Sequence, residues 1–149
     1  MGGAVTHRRR FPAVAASVAA ARGFVDEALP DGFRQTSDDV ALMVSELASN
    51  VVQHALSSFD LAVCGTAREL MVEVTDFGDG IPAMAYPRPD ATQGRGLRIV
   101  DMLSTRWGVS GGPGSGKTVW FVLALPDADA AATVGPRSAL AVGAPTPPL

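Results

Sequence analysis

The apolar positions in the first third of the chain predict two amphipathic helices. The first helix repeats at helical spacing at Val14, Val18, Ala21, Val25 and Leu29. A polar break at residues 30–32 precedes a second helix, predicted over residues 37–55 with Ser37 as its N-terminal cap. The apolar stripe of this second helix consists of Val40, Val44, Leu47 and Val51. Each helix therefore has one face suited to a hydrophobic core.

Apolar runs in the rest of the chain predict strands. These runs cover residues 61–64, 70–75 and 118–125, and another begins at Trp107. The first two flank a Gly-Thr pair and predict a hairpin. The last is apolar on both faces, which suits an interior position in a sheet. Helical spacing returns over residues 96–104, so helices and strands both contribute to the predicted core.

Length and composition favour one folded domain. The chain has 149 residues, of which 47% are hydrophobic and 18% charged, which is enough for one core and short for two. We expect residues 1–11 to form a flexible N-terminus and residues 12–125 the folded domain. Five of the 11 prolines lie in the last 24 residues (126–149), among alanine and glycine. That composition predicts a disordered tail.

Charge and cysteine content disfavour several classes of function. The net charge is −3 and the basic residues are mostly scattered, which argues against direct binding of nucleic acid. One cysteine and two histidines exclude an internal disulfide and an ordinary structural zinc site. Arginines at residues 8–10 loosely resemble an export signal, but the helical pattern continues past any cleavage point. The single cysteine fits a reducing cytoplasm, and no run is long enough to span a membrane, so we expect a soluble, cytoplasmic protein.

Three short motifs carry the candidate chemistry. They are Glu46-x-x-x-Asn50-x-x-x-His54, Asp76-x-Gly78-x-Gly80 and Gly94-x-Gly96-Leu97. The four-residue spacing of the first motif places its polar side chains on one side of a helix. The second adds an acidic residue beside a tight turn, and the third a glycine loop whose amides can approach phosphates. Residues 81–93, between the last two, contain three prolines and are a candidate lid. Together these features predict a pocket for a magnesium nucleotide.

A fourth apparent motif is rejected because of its context. Residues 111–118 satisfy the Walker A pattern G-x-x-x-x-G-K-[ST]. A phosphate-binding loop opens a helix whose N-terminal amides face the phosphates, whereas a strand is predicted here. We therefore interpret this stretch as a glycine turn between two antiparallel strands.

The motifs carry a resemblance to a known family. The three motifs, in this order and together with residues 116–121 of the last predicted strand, resemble those of the anti-sigma regulatory kinases of the RsbW and SpoIIAB type. That group belongs to the GHKL superfamily, which includes gyrase, MutL and the histidine kinases. The resemblance covers residues 12–125. It implies an α/β two-layer sandwich, the Bergerat ATP-binding fold, with a mixed, mostly antiparallel sheet covered on one face by about three helices.

The resemblance also assigns roles in binding ATP and Mg²⁺. It implies that Asn50 is the magnesium ligand through its carbonyl oxygen and that Asp76 accepts a hydrogen bond from the amine of adenine. Because guanine presents an oxygen at that position, a preference for ATP over GTP is expected. The remaining cofactor-binding residues implied by the resemblance are Gly78, Gly80, Gly94, Gly96, Leu97 and Thr118.

Glu46 is the residue expected to act in catalysis. In the resembling kinases a carboxylate at this position orients and deprotonates the attacking hydroxyl. The implied function is phosphorylation of a serine or threonine on an anti-anti-sigma (STAS) protein, together with sequestration of a sigma factor, and a homodimer is possible. Two alternatives remain open: a nucleotide-dependent binding module without phosphotransfer, and the ATP-binding part of a histidine kinase. No role is assigned to His54.

Overall fold

The computed structural model describes residues 3–55, 57–78, 92–112 and 116–126, with residues 92–96 and 112 described by their backbone alone. Five strands and three α-helices make up this part of the chain. In chain order these are β1 (Val5–Phe11), α1 (Ala16–Ala28), α2 (Ser37–Asn50), β2 (Phe59–Gly65), β3 (Glu69–Asp76), α3 (Thr92–Leu103), β4 (Arg106–Gly112) and β5 (Gly116–Ala124). A 3₁₀-helix (Asp31–Thr36) precedes α2, and a π-helical turn (Val51–Ala55) follows it.

The strands form one sheet in the order β1-β2-β3-β5-β4, and each neighbouring pair in it is antiparallel. The predicted hairpin is β2 and β3, and the predicted strand pair around the glycine turn is β4 and β5. Strand β5 lies inside the sheet, between β3 and β4, which agrees with its apolar faces. The α/β sandwich expected from the sequence is confirmed.

The main core lies between the sheet and the helices. Helix α2 packs against both α1 and α3, and its predicted stripe is at most 3% exposed at Val40, Val44, Leu47 and Val51. Alternate residues of the central strands face this layer, namely Leu70, Val72, Val74, Val119, Phe121 and Leu123. A smaller buried cluster of Met71, Trp120 and Val122 lies on the opposite face. Within the described ranges, no helix is long and apolar enough to cross a membrane.

The N-terminus differs from the expectation of a flexible segment over residues 1–11. Strand β1 pairs with β2 along its whole length. Phe11 is buried and stacks on Phe59 with ring centroids 5.4 Å apart. Across the pair, Arg10 Nε donates to Asp60 Oδ1 at 2.7 Å, and this hydrogen bond holds the pKa of Asp60 below its ordinary value. The sequence conceals this edge strand because six of its seven residues are exposed.

The second helix also differs in detail from its prediction. It is α-helical only to Asn50, and residues 51–55 widen into the π-helical turn. Ser37 is its first residue rather than its cap, and its hydroxyl donates to Asp26 Oδ1 at 2.8 Å. Such π turns occur frequently at functional sites. This one begins directly after a predicted metal ligand.

Candidate functional site

The candidate site is built from the C-terminal ends of α2 and β3. Asn50 is the last residue of α2 and is 7% exposed, and Asp76 is the last residue of β3 and is 4% exposed. Asn50 Nδ2 and Asp76 Oδ2 are buried without a hydrogen-bond partner. Leaving a buried polar group unpaired costs about 1–3 kcal/mol. Both atoms are therefore placed where a ligand could supply the missing hydrogen bonds.

Backbone contacts fix the carboxylate of Asp76. Its Oδ1 accepts a hydrogen bond from the amide of Gly78 at 3.1 Å. The amide of the intervening residue, Phe77, donates to Ser57 Oγ at 3.0 Å. One carboxylate oxygen thus orients the side chain, and the other remains available to accept from a ligand.

Gly78 brings the two ends of the site together. A Cβ at this position would lie 2.9 Å from the carbonyl oxygen of Ala55, at the end of the π-helical turn. Only glycine allows the chain leaving β3 to lie this close to the turn that follows α2. The strand carrying Asp76 and the helix carrying Asn50 are therefore held against each other by a backbone contact.

Glu46 lies one turn before Asn50 on the same side of α2. Its side chain is partly exposed, whereas that of Asn50 is buried. His54, in the π-helical turn, is exposed, so the three spaced residues run from partly exposed through buried to exposed. A carboxylate at the rim and a carboxamide inside suit a reacting group that enters from outside.

Thr118 is not brought to Asp76. The two residues lie on opposite faces of the sheet, because Thr118 pairs with Thr75 and their hydroxyl oxygens are 2.7 Å apart. The residue facing Asp76 across the β3–β5 pair is Lys117, whose Nζ is 3.5 Å from Asp76 Oδ2. Sequence reasoning missed Lys117 because it belonged to the rejected Walker A pattern. Strand alternation would have separated it from Thr118 if the register had been known.

The third motif is placed differently from its prediction. Helix α3 begins at Thr92, so Gly94 and Gly96 lie within it rather than in a loop that precedes it. Leu97 is 8% exposed and belongs to the main core. Gly80 and residues 81–91 of the predicted lid fall outside the described part of the chain, as do residues 127–149 of the predicted tail and residues 113–115 of the glycine turn.

The site offers few ligands for a metal. No group of three or more His, Cys, Asp or Glu side chains that could hold an ion occurs among the described residues. A magnesium ion typically keeps several waters and binds through one or two protein oxygens plus substrate phosphates. Asn50 would supply one such oxygen through its side-chain carbonyl, and its unpaired Nδ2 is a donor suited to an acceptor such as a phosphate oxygen.

A cavity of about 400 Å³ lies elsewhere, near the start of β1 and the end of α1, and its lining includes Val5, Leu29 and Gly65. Gly65 is at the opposite end of β2 from Phe59, the residue that pairs with Asp76. None of the predicted site residues lines this cavity. The cavity is therefore separate from the candidate site.

Comparison with family models gives one match that covers most of the chain. Residues 11–123 match the model described as "Histidine kinase-like ATPase domain". The matched range runs from the last residue of β1 almost to the end of β5 and includes Glu46, Asn50, Asp76 and Lys117. No curated protein matches the chain.

Proposed function

We propose that this chain, which belongs to the histidine kinase-like ATPase family, is an ATP-dependent protein serine/threonine kinase. Membership of that family supports nucleotide binding. Its substrate in this proposal is an anti-anti-sigma protein of the STAS type, and the chain sequesters a sigma factor when that antagonist is phosphorylated. Such a function belongs in the cytoplasm, where ATP and the transcription machinery are found.

The observation that carries the proposal is the pair of buried polar atoms without hydrogen-bond partners, Asp76 Oδ2 and Asn50 Nδ2, an acceptor and a donor that a nucleotide can satisfy. Asp76 Oδ2, which has no hydrogen-bond partner and lies 3.5 Å from Lys117 Nζ, accepts a hydrogen bond from the exocyclic amine of adenine in this proposal, with the base beside the β3–β5 pair. Asn50, at the end of the adjoining helix, binds the cation through its carbonyl oxygen in this proposal. A magnesium ion, when bound, neutralises part of the phosphate charge.

Glu46 supplies the catalytic base in this proposal. Its partly exposed position, one turn from Asn50, lets a serine or threonine hydroxyl of a partner reach it. The carboxylate accepts the hydroxyl proton while the oxygen forms a bond to the γ-phosphorus. The bond from that phosphorus to the bridging oxygen breaks, and ADP leaves with the electron pair. Neither histidine takes part in this step.

The test incubates the protein with γ-³²P-labelled ATP, magnesium and purified STAS-domain proteins. The expected product is an antagonist labelled on serine or threonine. Glu46→Gln is the matched variant, since it keeps the shape of the side chain and removes the base. We expect it to bind ATP within about threefold of the wild type and to lose phosphotransfer by about a hundredfold or more.

The outcomes separate the alternatives. Label on a histidine would contradict serine/threonine transfer and favour a relationship to histidine kinase activity. ATP binding without label on any antagonist would favour a nucleotide-dependent binding module. Equal phosphotransfer by the wild type and Glu46→Gln would contradict the role of Glu46 while leaving the kinase proposal intact.

A further inference from the structure

Lys117 places a cation inside the candidate nucleotide site. The residue is 8% exposed, and its Nζ lies 3.5 Å from Asp76 Oδ2. At that distance the two groups form an ion pair but no hydrogen bond, and Oδ2 remains without a hydrogen-bond partner. Lysine is almost never buried unless its charge is paired. Lys117 is therefore a buried charge partner of the Asp76 carboxylate rather than a surface charge.

The sheet fixes the position of Lys117. Its Cα is directly opposite that of Asp76 in the β3–β5 register. The preceding residue, Gly116, has φ of +80°, and a Cβ there would lie 2.5 Å from the carbonyl oxygen of Asp76. A glycine with this backbone conformation allows the start of β5 to lie against the end of β3. The ammonium and the carboxylate are consequently presented side by side.

A carboxylate beside an ammonium can pair with either kind of purine. Adenine presents an amine that donates at C6 and a ring nitrogen, N1, that accepts. Guanine and hypoxanthine present an oxygen that accepts at C6 and an N1–H that donates. Asp76 alone pairs with the adenine amine and leaves the oxygen of a 6-oxopurine unpaired. Lys117 adds donors that this oxygen can use, and Asp76 can then accept from N1–H.

We propose that Lys117 is a specificity-determining residue that gives the site affinity for 6-oxopurine nucleotides as well as for ATP. This inference rests on nucleotide binding at Asp76, as in the proposed function, but not on phosphotransfer. It replaces the preference for ATP over GTP expected from Asp76 alone.

The test measures dissociation constants for ATP, ITP and GTP by calorimetry, with magnesium, for the wild type and for Lys117→Met. ITP has the C6 oxygen of GTP without its 2-amino group, so it probes the oxygen contact alone. We expect the wild type to bind ITP within about tenfold of ATP. Methionine matches the length of lysine and cannot donate, so ITP and GTP should weaken by about tenfold or more relative to ATP.

Two further measurements exclude a merely structural effect. Lys117→Arg retains the positive charge and the donors, and we expect it to keep the wild-type ITP to ATP ratio more closely than the methionine variant. Lys117 is also the one lysine in the sequence. Protein labelled with ¹³C and ¹⁵N in lysine therefore gives a single side-chain signal, which should shift differently with ITP and with ATP.

Failure of this inference differs from failure of the nucleotide site. A wild type that binds ATP but discriminates against ITP more than a hundredfold, with the same ratio in Lys117→Met, would overturn the role of Lys117 and leave the ATP site standing. A correctly folded wild type that binds none of the three nucleotides would overturn both proposals. Loss of all binding in Lys117→Met, with retained folding and wild-type ratios in Lys117→Arg, would support a shared contact to both purines and contradict a selective one.

Discussion

The close approach of β5 to β3 at Gly116 gives a prediction that links stability to the site. In Gly116→Ala, an alanine must adopt φ of +80°, which costs about 1–2 kcal/mol for an L-residue. Its Cβ would also lie 2.5 Å from the carbonyl oxygen of Asp76, and a backbone oxygen cannot move aside as a flexible side chain can. The two strands must separate slightly. We expect a total loss of about 2–5 kcal/mol, because the steric contact adds about 1–3 kcal/mol, the usual cost of overpacking, to the backbone strain.

Gly23→Ala is the matched control for this prediction. Gly23 lies inside α1, and a Cβ there would have nothing within 4 Å. Alanine is a better helix former than glycine, so this variant should gain about 0.5–1 kcal/mol. The same substitution is thus expected to change the free energy of unfolding in opposite directions at the two positions, because their backbone conformations and the space around them differ.

The assay is urea unfolding followed by tryptophan fluorescence, with Trp107 and Trp120 as buried reporters. The free energies of unfolding come from linear extrapolation. A Gly116→Ala variant within 0.5 kcal/mol of the wild type would refute the reasoning from the close contact, with the threshold set by typical surface substitutions. The variant should also bind ATP more weakly than Gly23→Ala does, because Asp76 and Lys117 shift with their strands.

Three other substitutions test separate parts of the structure. Asn50→Ala should weaken ATP binding in the presence of magnesium by about tenfold or more in calorimetry, and much less in EDTA, because the lost oxygen is the cation ligand; equal losses in both conditions would contradict that role. Gly78→Ala should lower the free energy of unfolding by about 1–3 kcal/mol, since its Cβ meets the Ala55 carbonyl, and unchanged unfolding would show that this contact yields easily. Arg10→Ala removes the hydrogen bond that lowers the pKa of Asp60. That contact stabilises the fold above the ordinary Asp pKa of about 3.9 and is lost as the pH falls through the lowered value, so the variant's acid-unfolding midpoint should lie at higher pH; an unchanged midpoint would contradict this.

The sequence predicts those elements of the fold whose side-chain pattern has one dominant period. The stripe of α2 is a clean 3.6-residue repeat, and all four of its predicted positions are buried. The β2–β3 hairpin is predicted equally well, from the alternation of apolar and polar residues on either side of a short turn. The π-helical turn cannot be predicted in this way, because residues 51–55 continue the helical composition of α2. Only the backbone hydrogen bonds distinguish the turn from an α-helix.

Strand β1 shows a different limit. Its residues are mostly charged or polar, and Phe11 alone is buried, so no face of the strand has a hydrophobic pattern. The strand is stabilised by its pairing with β2. Its main-chain hydrogen bonds, the Arg10–Asp60 pair and the stacking of Phe11 on Phe59 all depend on β2. The pattern of residues within this segment does not show that the segment pairs with β2, and the segment therefore resembles a flexible end.

The residues of the candidate site also differ in how far the sequence predicts them. Asn50 and Asp76 were predictable as candidate residues from the spacing of their motifs, and both are buried polar residues at the ends of α2 and β3. Lys117 was not, because its role depends on which face of β5 meets Asp76. A shift of one residue between β3 and β5 would exchange Lys117 with Thr118 and change the chemistry beside the base from a cation to a hydroxyl. Gly116 suits the observed register, because its φ of +80° and its lack of a Cβ allow the start of β5 to lie against the carbonyl of Asp76. In the proposal for Lys117, the base selectivity of the site therefore depends on strand register, and Gly116 contributes to it although it has no side chain to contact a ligand.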